Sequence, residues 1–331
     1  MPYNLRMPKP QPVPLSDVFE RYALGLAAKR SLPLHKDPKA ARHRAALLDE
    51  LRRLGVQGWP ERMTLYTRSL PEGCRPCLKG RASNLVMTLL CNRECFFCFN
   101  PKPRTDTMSV HGKDVRSHKE AARLLKSLGI RSVGISGGEP LLKPARLFAL
   151  VKELRRPPGP RLRIDLYTNG VLLTPELLKK LKAVGVDALR LNLAADNYDL
   201  KPVKLAQTVF NQVEVEIPAV PEHKAKLLRL MEDLDRLKVH HLILHELFAS
   251  AHNAESLMRQ GRLAKNEQAA KTLTWSAVAG SEELVLELLA AALRRKQKLS
   301  LYYCSCATQA WIAEQALKGV VRKGTVWTCD R

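Results

Sequence analysis

Three cysteines, Cys91, Cys95 and Cys98, stand within Leu90-Cys91-Asn92-Arg93-Glu94-Cys95-Phe96-Phe97-Cys98, directly after an apolar strand-like run. Each iron of a cubane iron-sulfur cluster takes one protein thiolate, so three cysteines hold three irons and leave the fourth open to a small ligand. The competing readings are a zinc site and a set of buried thiols. Zinc usually draws on two separated Cys-x2–4-Cys pairs, and this triad has no fourth ligand nearby. About forty residues on comes Ser136-Gly137-Gly138-Glu139-Pro140. Two glycines let the backbone approach a ligand closely, and a carboxylate beside them can accept hydrogen bonds from an ammonium.

Other residues join these. Tyr167-Thr168-Asn169-Gly170 ends a strand-like run and reads equally as a turn and as a ligand-positioning loop. Glu216 breaks the apolar pattern of Val213-Glu214-Val215-Glu216-Ile217-Pro218, as a ligand-binding or a salt-bridged carboxylate would. His245 and Glu246 follow the apolar run Leu242-Ile243-Leu244 and are candidates for substrate binding or proton transfer, since histidine titrates near neutrality. Cys74-Arg75-Pro76-Cys77 and Cys304-Ser305-Cys306 are two close pairs that could meet as a four-thiolate site for zinc or a second iron-sulfur cluster, or simply be buried thiols.

The elements that must position these groups follow from periodicity. Residues 1–14 are proline-rich and read as an extended arm, followed by helices at 17–30 and 39–54. From residue 84 strands alternate with helices, which predicts parallel βαβ units. Strands are expected at 85–90, 132–136, 163–167, 188–193, 213–217 and 242–247, with helices at 117–128, 144–154, 175–183 and 222–237. Only a short connection is expected across 196–212. Beyond the sixth strand the pattern predicts a helix at 282–295, a strand at 298–303, a helix at 307–317 and a terminal strand at 326–328. A β/α barrel places its ligands at the carboxyl ends of its strands, where these motifs fall. The expected division is an arm and helical cap over 1–63, a core over 64–260 that includes the upstream Cys-x2-Cys loop, and a C-terminal extension over 261–331 that carries Cys-x-Cys.

The cysteine spacing, with an aromatic, Phe97, just before the last cysteine, resembles the radical S-adenosylmethionine (SAM) superfamily. The resemblance implies an α/β fold with a partial (βα)6 barrel and a [4Fe-4S] cluster on Cys91, Cys95 and Cys98. It also implies SAM chelated to the open iron and cleaved by one-electron reduction to a deoxyadenosyl radical that takes hydrogen from a substrate. Gly137, Gly138, Glu139 and Pro140 would then bind the methionyl amino group, Thr168 and Asn169 would lie near the adenosyl group, and Glu216 would be a candidate for the ribose hydroxyls. An electron donor such as flavodoxin or ferredoxin would supply the electron. Over about residues 64–320 the chain looks like a less-characterised group related to pyruvate formate-lyase activating enzymes. That group commonly continues its cluster loop Cys-Pro, whereas here Cys98 is followed by Phe99-Asn100-Pro101.

Composition bounds the partners. Lys and Arg number 55 against 32 Asp and Glu, a formal charge of +23 that favours a polyanion such as RNA or DNA. The excess is dispersed and aromatics are only 5%, which argues against stacking platforms for single strands. No apolar run approaches the ~18 residues of a membrane span, and no apolar signal segment opens the chain, so a soluble cytoplasmic protein without a membrane partner is expected. In that reducing compartment clustered cysteines are metal ligands or catalytic thiols more often than disulfides. The competing functions are a non-enzymatic metal-cluster protein that binds nucleic acid and, within the enzyme class, an RNA-modifying enzyme or a glycyl-radical activase. A Gly-Gly-Glu-Pro pocket discriminates, because a structural cluster needs none.

Overall fold

The computed structural model describes residues 32, 38–157, 161–265 and 276–322. Seven parallel strands run in chain order across one sheet: β1 (Ala82–Thr88), β2 (Ser132–Gly137), β3 (Arg163–Thr168), β4 (Ala188–Leu191), β5 (Val213–Ala219), β6 (His241–Glu246) and β7 (Ser300–Cys304). The mixed α/β class and the sequential βα order agree with expectation. The sheet is open among the described residues. Its β7 edge carries the antiparallel pair Gln57–Trp59 and Thr64–Tyr66, and its β1 edge carries Ser109–Val110 and Lys113–Asp114.

Strand alternation gives the sheet two chemically different faces. Leu85, Ile135, Ile164, Leu166, Leu189, Val215, Ile217, Leu242, Leu244 and Leu301 join one core with Leu147 and Leu150 of helix Pro144–Leu154, Leu178 and Leu181 of Pro175–Val184, Leu230 and Leu234 of Lys224–Arg236, and Leu288 of Ser281–Arg294. The opposite face is polar, presenting Asp165, Tyr167, Arg190, Glu214, Glu216, His241, His245 and Cys304 from β3 to β7. Buried strand positions are therefore not uniformly apolar, and the polar set marks the face turned to chemistry.

Local signals explain the helices. Thr174 caps Pro175–Val184 by accepting from Leu177 N at 3.2 Å, proline occupies the first turn, and Gly185 ends the helix at φ 107°. Ser117 caps His118–Ser127 in the same way, accepting from Glu120 N.

Two expectations change. Residues 196–212 hold a helix, Lys201–Gln207, which the short spacing and internal proline hid; Pro202 falls in its first turn, where a missing N–H costs nothing. The strand expected at 298–303 is β7 itself, paired along its length with β6, so residues beyond the sixth strand add a seventh parallel strand to the sheet. Helix Cys306–Arg322 follows it. The helix expected at 17–30, the strand at 326–328 and Cys329 lie outside the described residues. No helix among the described residues is long and apolar enough to cross a membrane.

Candidate active site

The carboxyl end of β2 and the loop after β1 are sewn together by backbone. Gly138 N donates to Thr88 O at 2.7 Å and Glu139 N to Leu90 O at 2.8 Å, one residue short of Cys91. A Cβ on Gly138 would lie 2.0 Å from Leu90 O, and one on Gly137, whose φ is 118°, would lie 2.1 Å from Thr88 O. The paired glycines thus let one loop backbone meet another, and the loop they meet carries the cysteines. Asn100 Nδ2 adds a hydrogen bond to Gly137 O.

Glu139 is fully buried. Its Oε1 accepts from Leu141 N at 3.0 Å and Thr168 Oγ1 at 2.9 Å, and its Oε2 from Asn169 N at 2.8 Å. Burial raises its pKa against the pull of these donors. The carboxylate therefore binds the Gly-Gly-Glu-Pro turn to Thr168-Asn169-Gly170, and Pro140 opens the 3₁₀ turn Pro140–Leu142 that it caps. Asn169 Nδ2 in turn donates to Asn92 Oδ1 at 2.7 Å, inside the cysteine loop. Three segments that sequence separates by up to 77 residues form one hydrogen-bonded unit.

Cys91, Cys95 and Cys98 are half-buried in this unit. Cys98 N donates to Cys95 O at 3.1 Å, and Arg104 Nη1 donates to Cys91 O at 3.3 Å. Burial, then the neighbouring Cys98 and Cys91, push the Cys95 thiol up to about 11; burial likewise raises Cys91. Such thiols ionise readily only beside a strong cation, which is what iron supplies. Among the described residues no three His, Cys, Asp or Glu side chains converge on one ion position. Three thiols on one loop suit a cluster, whose thiolates go to different irons. The donor set fits the [4Fe-4S] group.

Two asparagines escaped sequence reasoning. Asn253, nearly buried, donates from Nδ2 to Phe97 O at 3.1 Å and Phe248 O at 3.0 Å, while its Oδ1 accepts from Ser250 N at 2.7 Å. It ties the loop after β6 to the cysteine loop. Asn192 directly follows β4, and its Oδ1 is buried without a hydrogen-bond partner among the described residues. A polar residue straight after a short, fully buried strand was the available signal for Asn192; Asn253 had none.

The remaining sequence candidates sit deeper on the polar face. Glu216 Oε2 accepts from Arg190 Nη1 at 2.7 Å, and Glu216 Oε1 lies 2.6 Å from His245 Nε2. Burial alone would raise its carboxyl; Arg190 and His245 outweigh burial and bring it down to about 2. Both oxygens are thus held by protein. Arg190 also contacts Asp165 Oδ2 at 3.0 Å and Glu214 Oε2 at 2.9 Å. Burial pushes Glu214 up to about 7 despite Arg190.

His245 and Glu246, adjacent in sequence, point to opposite faces. His245 is half-buried on the polar face, whereas Glu246 is buried and paired with Lys265 Nζ at 2.6 Å and Cys306 N at 2.8 Å. Cys306 is drawn with it. The chain turns at Ser305 into helix Cys306–Arg322, whose first N–H donates to Glu246 Oε2, while Cys304 shares a buried cluster with Cys74.

Residues 85–214 match the family model described as the radical SAM superfamily. A Methanocaldococcus jannaschii protein, named provisionally as a glycyl-radical enzyme activating enzyme, is 30% identical over 247 residues, 71% of this chain and 63% of its own length. A GTP 3′,8-cyclase from a Synechococcus species is 36% identical over 134 residues, 40% of this chain and 36% of its own. The chain thus spans less than two thirds of these relatives. Among solved structures, Streptococcus suis SuiB bound to its precursor peptide SuiA aligns over 78% of this chain and 52% of its own with a TM-score of 0.49 and 14% identity. With the cysteine loop, the glycine pair and the parallel sheet in place, residues 85–214 are those of a domain of the radical SAM superfamily, which works with a [4Fe-4S] cluster and SAM.

Proposed function

We propose that this enzyme initiates hydrogen abstraction from a substrate at the carboxyl ends of β1–β7, with Cys91, Cys95 and Cys98 as cluster ligands. When bound, cluster and SAM together supply the reductive cleavage of the sulfonium bond and the hydrogen-abstracting radical. The chain's own residues bind, orient and shield. Gly137 and Gly138 bring the SAM-side turn against the backbone that leads into Cys91, and Glu139 fixes Thr168 and Asn169 to that turn. Asn192 offers a buried acceptor at the end of β4. Phe96 and Phe97 pack on an apolar cluster with Leu247 and Leu257, which excludes water from one side of the loop.

The observation that carries this reading is the continuous hydrogen-bonded link from Leu90 and Asn92 through Glu139 to Asn169. A structural cluster would not need its loop locked to a Gly-Gly-Glu-Pro turn. On the substrate, the M. jannaschii relative supports an activating role, hydrogen removal from a glycyl residue of a partner protein. The +23 charge favours an acidic macromolecular partner. The test is anaerobic reconstitution with a strong reductant, reading methionine and deoxyadenosine from SAM. Replacement of Cys91, Cys95 and Cys98 together by Ala should abolish both products, and normal deoxyadenosine from that variant would refute the reading. Transfer of deuterium from a glycine-deuterated partner into deoxyadenosine tests the activating role.

A further inference from the structure

The cysteine loop is fastened from outside by the chain that returns from it. Leu89 N donates to Thr105 O at 2.9 Å, which holds the returning chain beside the backbone that leads into Cys91. That bond sets the preceding residue, Arg104, against the loop. Arg104 Nη1 donates to Cys91 O at 3.3 Å and lies 3.1 Å from Glu94 Oε1, while Lys102 Nζ takes the other oxygen, Glu94 Oε2, at 3.3 Å. One carboxylate between the first two cysteines is thus bracketed by two cations that follow the third.

The two ends of the Arg104–Glu94 pair stand in different surroundings. The Arg104 side chain is 13% exposed and that of Glu94 70%. Water screens the carboxylate, whereas a guanidinium withdrawn from water acts at longer range, so Glu94 offsets only part of its charge. Arg93, inside the loop, differs: its partner Asp196 lies 2.8 Å away and the two side chains are about equally exposed, at 32% and 38%, so that pair is balanced. The carbonyl that Arg104 holds and the sulfur of Cys91 belong to one residue, which places the guanidinium within about 8 Å of that sulfur, no farther than the screening length at physiological salt.

We propose that Arg104 is a positioning and charge-tuning residue of the cysteine loop: it fastens the loop at Cys91 and favours the reduced cluster over the oxidised one, with Glu94 as the counter-charge that limits the effect. The proposal rests on the reading of Cys91, Cys95 and Cys98 as cluster ligands. Reduction takes one electron from a low-potential donor, makes the thiolate-bound cluster one unit more negative and breaks no bond. A nearby cation stabilises the more negative state more, and local net charge is among the factors that set a cluster's potential. Arginine stays protonated throughout the working pH range, so its charge is a fixed one.

The experiment is an anaerobic redox titration of the reconstituted full chain without SAM, followed by electron paramagnetic resonance of the reduced cluster, beside iron per chain. Arg104→Gln removes the cation and should shift the one-electron equilibrium about tenfold toward the oxidised cluster, a fall of ~59 mV in potential. Glu94→Gln breaks the same ion pair from its exposed end and should raise the potential. Arg104→Lys should restore most of the wild-type value. Opposite shifts distinguish charge from packing, since a loop that merely loosens responds alike to both losses. Shifts in one direction, or wild-type potentials in both Gln variants, would overturn the proposal and leave the cluster reading intact. If Arg104→Gln does not retain iron, Glu94→Gln decides: a raised potential supports the proposal, and an unchanged or lowered one overturns it. A wild-type chain without a reducible four-iron cluster would overturn the cluster reading and this one with it.

Discussion

Gly138→Ala asks whether the close approach of two loops is what holds the cysteine triad in place. The added Cβ would sit 2.0 Å from Leu90 O and 2.6 Å from Leu89 O, both backbone atoms that no rotamer change can move. Packed carbon rarely comes nearer than about 3 Å to such an atom, so Leu89 and Leu90 must retreat by about 1 Å, and Cys91 is the next residue. The same retreat weakens the hydrogen bonds Gly138 N to Thr88 O and Glu139 N to Leu90 O. A misplacement of about 1 Å at a reacting centre costs on the order of 10²-fold in rate, close to 3 kcal/mol of barrier. The assay is deoxyadenosine formation under anaerobic reducing conditions, beside iron content per chain. Gly261→Ala is the control, since its φ of 69° brings backbone strain while nothing lies within 4 Å of its Cβ. The expectation is a loss of about 10²-fold in Gly138→Ala and little change in the control. Wild-type iron and rate in Gly138→Ala would refute the claim that the glycine exists for this approach.

Three further outcomes are expected. Glu214 has a folded carboxyl pushed up to about 7 from 4.5 by burial, so the native state binds the extra proton between those values and stability falls as pH rises from 4.5 to 7; Glu214→Gln should flatten that slope in denaturant titrations, and an unchanged slope would argue against it. Asn253→Ala strands Phe97 O, Phe248 O and Ser250 N, at a cost of about 2 kcal/mol, and should speed iron loss from the loop during aerobic dilution; iron release at the wild-type rate would show that the asparagine does not hold the loop. Any RNA binding should be electrostatic, weakening on the order of 10³-fold between low and physiological salt with little dependence on sequence, as gel shifts with a tRNA and an unrelated RNA would report; salt-resistant binding to one of them would point instead to a specific RNA substrate.

The chemistry of the primary site was legible because it is local. Three cysteines within eight positions share a loop whatever the rest of the chain does, and a glycine pair at a strand end announces close backbone approach. Period-2 and period-3.6 patterning located the first six parallel strands, since burial on the helix face is written into each segment separately. Glu139 was legible as a residue but not in its action. Its link to Thr168 and Asn169 depends on the adjacency of β2 and β3, which no single segment encodes.

What only the tertiary structure decided are the contacts that cross between segments. His245 and Glu246 differ by one residue and end on opposite faces, because side chains alternate on a strand and β6 is packed on both sides. Cys304 and Cys306 look like a pair in sequence, yet Cys304 ends a strand and Cys306 starts a helix whose first N–H is held by Glu246, while register on β6 and β7 sets Cys304 beside His245. The fall of Glu216 to about 2 and the rise of Glu214 to about 7 arise from where one guanidinium, that of Arg190, sits between neighbouring strands. Residue type and short spacing thus determined which groups were available for chemistry, and strand register determined which of them meet, because register is set by the packing of the whole sheet.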